Sequence, residues 1–432
     1  MAKPKQLGLA SLTALVTGSM IGSGIFILPA QLANLGSLSL LSWLFTTAGA
    51  FLLALVFSRM GRFLPKTGGP YAYARAGMGN LLGFQTAFSY WLSIWIGNAA
   101  MALAAVGYLS VFYPVLSKPY PACFTSIAFI WVLTAINLMG VHTAGIVQLI
   151  TTILKLIPIL LIGALGWFFF RSEHITESLN VTSPHLSGFN LITHGATLTL
   201  WAFLGVESAT VPAGSVKNPT RTIPLATLFG TVIAAVAYIS SSAAIMGMLP
   251  IHQLQKSVFP FADAAALLFG SWGKALVAIG AIISCLGSLN GWILLQGQIP
   301  MAAADDQLFL KIFSRLNKRG VPALGLIITS FLISLLLLLT ISPDLVKQFQ
   351  VLILLATFTS LFPYLYTPVS EILLLREEKG RLEKGTVCIA VVAMLYALWA
   401  LVGSGTEILS YGALVLLVSI PLYLLSARKR AA

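Results

Sequence analysis

The stretch Gly18-Ser19-Met20-Ile21-Gly22-Ser23-Gly24-Ile25-Phe26-Ile27-Leu28-Pro29 sets three glycines and a proline in the middle of an apolar run over 10–34. Glycine and proline both weaken a helical hydrogen-bond ladder, so this run predicts a helix broken at its centre. Trp201-Ala202-Phe203-Leu204-Gly205-Val206-Glu207-Ser208-Ala209-Thr210-Val211-Pro212, within the run 188–213, has the same plan 183 positions later. Again a glycine precedes a proline by seven residues, and here Glu207 adds an ionisable group at depth. Both residue types are common in membrane helices. Their recurrence at the start of each half is more telling, because paired interrupted helices mark a transporter site in an inverted repeat. Such breaks expose N–H groups that bind anions and carbonyls that bind cations.

Outward from these stretches, the chain of 432 residues is 58% hydrophobic and 9% charged. A soluble chain carries about 25% charged residues, so a large soluble enzyme is excluded. Twelve apolar runs fall near 10–34, 38–58, 83–113, 121–140, 145–170, 188–213, 223–248, 272–303, 322–342, 347–372, 386–404 and 408–427. They predict an all-α integral membrane protein with twelve transmembrane helices. The runs are continuous, which excludes a β-barrel. We expect one transporter domain: a first inverted repeat over 10–170, a second over 188–372, and two further helices over 386–427.

The net charge of +13 suggests nucleic acid at first sight, but its distribution explains it otherwise. With the N-terminus inside, 19 of the 25 Lys and Arg residues fall on the cytoplasmic side. This is the positive-inside pattern, and it places both termini in the cytoplasm without a nucleic-acid partner. Cys123, Cys285 and Cys388 lie in apolar runs and imply neither a disulfide nor a metal framework. The five histidines never approach metal-ligand spacing, no catalytic motif occurs, and no metal, cofactor or catalytic residue is expected. Residues Met1 to Gln6 lead into the first run without a cleavage site, so no removable signal peptide is expected.

Charge inside the spans is the sharpest filter. Glu207, Lys155 and Glu371 lie at depth, where each costs roughly 2.5–3.5 kcal/mol unless paired or hydrated. Burial disfavours the charged form of both Glu207 and Lys155, which makes either a candidate proton carrier, although a lysine can also brace a helix. Trp201 and Trp292 adjoin helix-breaking glycines, and their indole faces suit an ammonium or guanidinium. Ser23, Asn98, Ser208, Ser288, Asn290 and Ser360 are at similar depth, where single polar groups usually join helices.

Several of these motifs resemble one family. Gly22-Ser23-Gly24-Ile25-Phe26 with Pro29, Gly68-Gly69-Pro70-Tyr71-Ala72-Tyr73-Ala74-Arg75, the Glu207 stretch and Lys217-Asn218-Pro219 are similar to the amino acid–polyamine–organocation transporters. Tyr90-Trp91, Trp95-Ile96-Gly97-Asn98, Cys285 to Trp292, Ala303-Ala304-Asp305-Asp306 and Pro363 to Thr367 resemble its basic amino acid/polyamine antiporters, above all the arginine/agmatine type. The resemblance covers nearly the whole chain. It implies exchange of a cationic amino acid for its decarboxylated amine across a bacterial inner membrane, by a homodimer. Arginine/agmatine leads, with ornithine/putrescine, lysine/cadaverine or proton-coupled uptake as alternatives; a non-transporting amino acid sensor is the reading from another class. It further implies that Ser23 and Gly24 meet the substrate carboxylate, and that carbonyls near Met20 and Trp201 meet its α-amino group. The cationic head would stack on Trp292 near Asn98, Met101 and Ser360. Tyr90, Glu207 and Tyr364 would form a far gate, with Glu207 and Tyr71 sensing pH. Three departures stand out. Ala356 replaces a serine, Ser93 and Ile94 replace smaller side chains, and Lys155 replaces an apolar residue. A lysine at the position of Lys155 implies a role in coupling.

Overall fold

The computed structural model describes residues 6–36, 39–179, 188–257, 259–342, 344–379, 383–403 and 406–431. Lys3, Lys5, His185, Arg381 and the expected run ends at 38 and 404 lie outside them. The described residues are helical apart from loops and one isolated bridge, Leu7 to Val216. In chain order the helices are α1 (Leu9–Met20), α2 (Gly24–Ala33), α3 (Ser39–Phe63), α4 (Pro70–Met78), α5 (Asn80–Leu109) and α6 (Pro119–Leu138). Then come α7 (Val141–Leu165), α8 (Ser172–Leu179), α9 (Gly188–Leu200), α10 (Pro219–Met248), α11 (Ile251–Lys256) and α12 (Pro260–Phe269). The chain ends with α13 (Ser271–Asp305), α14 (Ala323–Leu339), α15 (Leu345–Lys379), α16 (Lys384–Gly403) and α17 (Thr406–Ala431).

These helices account for the twelve runs. Among the described residues, eight segments are long and apolar enough to cross a membrane, α1 and α2 together counting as one. The sixth run falls short because only its first half, α9, is α-helical. Beyond Leu200 the chain takes short 3-10 turns at Trp201–Phe203, Ser208–Thr210 and Ala213–Ser215. Gly205 explains the unwinding. Its φ of +110° is open to glycine, and a Cβ there would stand 2.9 Å from Ser19 Cβ. Side chains such as Leu44, Val236, Phe331 and Leu417 are more than half exposed, which hydrocarbon accommodates and water would not.

Counterpart helices of the two halves meet in the middle. α3 packs on α10, α5 on α13 and α6 on α14. These are spans 2 with 7, 3 with 8 and 4 with 9, the pairing expected of halves related by a two-fold axis in the membrane plane. Polar side chains bind the helices where apolar packing alone offers no preference. Asn137 Nδ2 donates to Asn290 Oδ1 (3.1 Å), Asn290 Nδ2 to Gln148 Oε1 (3.1 Å), and Gln148 Nε2 to Ala14 O (3.3 Å). Glu371, the carboxylate read at depth in span 10, is fully buried against Arg59 of span 2, which grips it through Nε (2.5 Å) and Nη2 (2.9 Å).

One face of the bundle is laced together by backbone and charge. Leu7 N donates to Ser215 O and Lys217 N to Leu7 O, while Gly214 N donates to Thr67 Oγ1 and Ser426 Oγ to Leu308 O. The same face, the basic face, carries most of the Lys and Arg residues. A left-handed backbone costs a residue with a Cβ about 1–2 kcal/mol before any contact is considered. Gly205→Ala is therefore expected to lower the unfolding temperature in detergent by several degrees and to abolish transport. An unchanged melting curve would show that the unwound segment does not need this geometry.

Candidate functional site: the cavity at the two helix breaks

The break in the first span leaves carbonyls that other spans must satisfy. Lys155, fully buried on α7, donates from Nζ to Gly18 O (2.8 Å), Ile21 O (2.5 Å) and Ser284 O (3.4 Å). Ser284 Oγ lies 3.1 Å from Ile21 O and 3.0 Å from Gly22 O, and Ser288 Oγ donates to Ser19 O at 3.2 Å. Trp292 Nε1 also donates to Ser19 O, at 3.2 Å. Lys155 thus joins the fifth span to the broken first through Gly18 O and Ile21 O and to the eighth through Ser284 O, three carbonyl acceptors for its three N–H donors.

Beside this break lies a cavity lined by Met20, Met101, Trp201, Trp292, Ser360 and Ala356, among others. Five residues expected at a substrate site therefore share one wall. Ser23 and Gly24 stand at the N-terminal end of α2, next to that wall. Ser23 Oγ approaches Met101 Sδ (3.7 Å), and a Cβ on Gly24 would stand 2.8 Å from Trp201 Cδ1. Trp201 thus lies directly over the break. Asn98 is placed differently: its amide donates to Gln296 Oε1 (2.7 Å), and it does not line the cavity. Ser93 and Ser360 are hydrogen-bonded, and Ser93 Oγ donates to Ala356 O (2.9 Å). At about 30 Å³ the cavity has room for a water or two, each needing ~10–15 Å³, so admitting an amino acid requires an opening movement.

Toward the basic face Glu207 is 1% exposed. Tyr90 Oη donates to one carboxylate oxygen and Tyr364 Oη to the other, the latter at 2.5 Å. Tyr364 Oη also accepts from Gly205 N (2.9 Å), so one tyrosine holds both the carboxylate and the unwound backbone. Tyr90 meets Trp292 edge to face at 6.5 Å, which ties this knot to the cavity. Tyr238, which the sequence did not single out, donates to Ala202 O (2.7 Å) and stacks on Trp43.

Tyr71 is remote from this knot, on the basic face. Its hydroxyl donates to Asp306 Oδ2 (2.9 Å), and Asp306 also pairs with Lys66 (3.1 Å) and Arg75 (2.7 Å). Burial pushes the Asp306 carboxyl up, but the hydrogen bonds from Lys66 and Tyr71 and the charges of Lys66 and Arg75 outweigh it, leaving Asp306 below the usual carboxylate range. The Tyr71 phenol is raised by burial and then by Asp306. The motif residues Arg75 and Asp306 thus form a latch between the 2–3 connection and the end of span 8.

With this geometry in view, residues 7–421 match the family model described as amino acid permease. The chain belongs to the amino acid permease family. It is 35% identical over 430 residues to the cadaverine/lysine antiporter of Escherichia coli (strain K12), covering 98% of this chain and 95% of that one. It is 36% identical over 426 residues to the putrescine transporter PotE of Haemophilus influenzae, covering 98% and 97%. PotE of Escherichia coli (strain K12) is also 36% identical, over 425 residues, with 98% and 96% covered. Family and relatives are transporters rather than enzymes, and this permease is a multi-pass membrane protein. The relatives are named for lysine, cadaverine and putrescine, not for the arginine/agmatine pair that the sequence reading put first.

Because the Asp306 carboxyl is depressed in the closed arrangement, its contribution to closure is complete above the ordinary carboxylate value near 4 and is lost only as pH falls through the lower value. Varying pH between about 5 and 8 should leave the latch shut. Asp306→Asn should raise thiol labelling from the basic face of a Leu204→Cys probe by at least about threefold, the scale of two partly exposed ion pairs. Equal labelling with and without Asp306 would contradict the latch.

Proposed function

We propose that this permease exchanges an α,ω-diamino acid, lysine or ornithine, for the corresponding diamine, cadaverine or putrescine, by alternating access. The relatives' names support this pair over arginine and agmatine. So does the cavity wall, and that observation carries the reading. Ser93, Ser360 and Ala356 O form a compact cluster of hydroxyls and a carbonyl. Such a cluster suits an ammonium, a point charge with three donors, better than a planar guanidinium fork.

In this reading the substrate carboxylate meets Ser23 and the N–H groups at the start of α2, whose dipole favours an anion. The α-amino group meets carbonyls near Met20 and Trp201, and the distal ammonium lies by the Trp292 face with Met101 and Ser360 nearby. Asn98 supports the wall from behind through Gln296. Trp201 closes over the bound substrate. Glu207, held by Tyr90 and Tyr364, is the proton-sensitive gate, Tyr71 acts with Asp306, and Lys155 takes the place of a coupling cation. The basic face is cytoplasmic in the bacterial inner membrane, and the protein works as a homodimer. The two halves of the exchange unit are 10–170 and 188–372, with 386–427 outside them.

Proteoliposomes loaded with labelled lysine, and offered a panel of external amino acids and amines, test the substrate class. Lysine, ornithine, cadaverine and putrescine should drive efflux, while arginine and agmatine should be at least about tenfold weaker. Preference for arginine and agmatine would overturn the reading. Glu207→Gln should flatten the pH dependence of exchange, and a profile like that of the unmodified protein would remove its sensor role.

A further inference from the structure

A second cavity lies on the opposite face, above the outer half of the broken first span. At about 160 Å³ it is roughly tenfold larger than one water requires. Phe26, Tyr108, Phe259 and Phe261 wall it with aromatic rings, and Asp263 and Lys274 complete its rim. The rings form one packed group: Phe26 lies 5.1 Å from Phe261 and 5.8 Å from Tyr108, and Tyr108 lies 5.7 Å from Phe259. Two features mark a place for a guest rather than a packing gap. Tyr108 is 6% exposed, yet its hydroxyl has no hydrogen-bond partner among the described residues. A buried hydroxyl of that kind is costly unless a ligand or water reaches it. The rim also carries opposite charges that form no ion pair: Asp263 Oδ2 accepts from Ser257 Oγ (2.6 Å), and Lys274 pairs with no carboxylate among the described residues.

We infer that this vestibule is a binding site for a zwitterionic diamino acid on its way to the central cavity, with Asp263 taking an ammonium, Lys274 the α-carboxylate, and the aromatic rings the aliphatic chain. The inference rests on the substrate class proposed above and adds a selection step to it. A diamine carries two positive charges and no carboxylate, so Lys274 repels it while attracting the amino acid. The site therefore favours loading of the amino acid from this face and release of the diamine. Its floor includes Phe26 of α2, the segment next to the substrate break, so filling the vestibule bears directly on the outer closure.

The test uses right-side-out membrane vesicles carrying the full chain, loaded with unlabelled lysine and offered labelled lysine or cadaverine outside at physiological salt. For Lys274→Gln the external half-saturation for lysine should rise, and the ratio of cadaverine to lysine half-saturation should fall about three- to fivefold, the scale of one partly exposed ion pair. Lys274→Arg should restore the ratio, and Asp263→Asn should weaken both substrates together. Lys118→Gln, a charge change on an exposed residue outside the cavity, should leave the ratio where it was. An unmoved ratio in Lys274→Gln, or an equal shift in Lys118→Gln, would overturn the vestibule site while leaving the exchange reading intact. Failure of the unmodified protein to exchange either substrate would overturn both.

Discussion

Backbone carbonyls freed inside a membrane have no water to turn to, and a helix broken at mid-depth must find partners for them in protein. Here the partners come from two other spans. Lys155 of α7 reaches Gly18 and Ile21, and Ser284, Ser288 and Trp292 of α13 supply the remaining donors. The arrangement fixes the first, fifth and eighth spans against one another at the level of the cavity. It also places the indole of Trp292 at the cavity wall, because its N–H is spent on Ser19 O. This scaffold fixes the shape of the break beside the cavity.

The sixth span meets the same constraint by unwinding further. Its second half becomes short turns, held by Tyr238 on Ala202 O and by Tyr364 on Gly205 N. Glu207 lies inside this unwound run, and its two tyrosine partners come from α5 and α15. Changing the charge of one carboxylate would thus disturb contacts with two further spans and the backbone beside the cavity. Separated from this knot, the Asp306 latch closes the basic face with surface charges, while aromatic rings close the opposite face. The two closures differ in chemistry, so ionic strength acts on them unequally.

Much of this was legible in the sequence, because it depends on residue types that are improbable inside a membrane. The glycine-proline breaks, Glu207, Lys155 and the two tryptophans beside glycines announced themselves in this way. The break in the sixth span was legible, but its continuation as 3-10 turns beyond a left-handed Gly205 was not, since no residue type announces that backbone path. Other features depend on which residues meet across the bundle, and no local pattern carries that information. Tyr238 looks like any aromatic in a span until it is seen under Ala202 O. Ser93 and Ser360 are 267 positions apart and Asn98 faces Gln296, contacts set by the packing of α5 on α13 and α15. Asp306 sat in a motif that the resemblance supplied, but its partners Lys66 and Arg75 appear only once the 2–3 connection is folded against the end of α13.

In the proposed exchange the cation closing the broken helix is the protein's own Lys155, so that charge crosses the membrane only with the substrates. Lysine carries one net positive charge and cadaverine two. Solid-supported-membrane or vesicle-potential recordings of lysine-in, cadaverine-out exchange, made with and without sodium, measure this directly. One net positive charge should leave per cycle, and sodium should not change it. An electroneutral exchange, or a current that requires sodium, would contradict the claim.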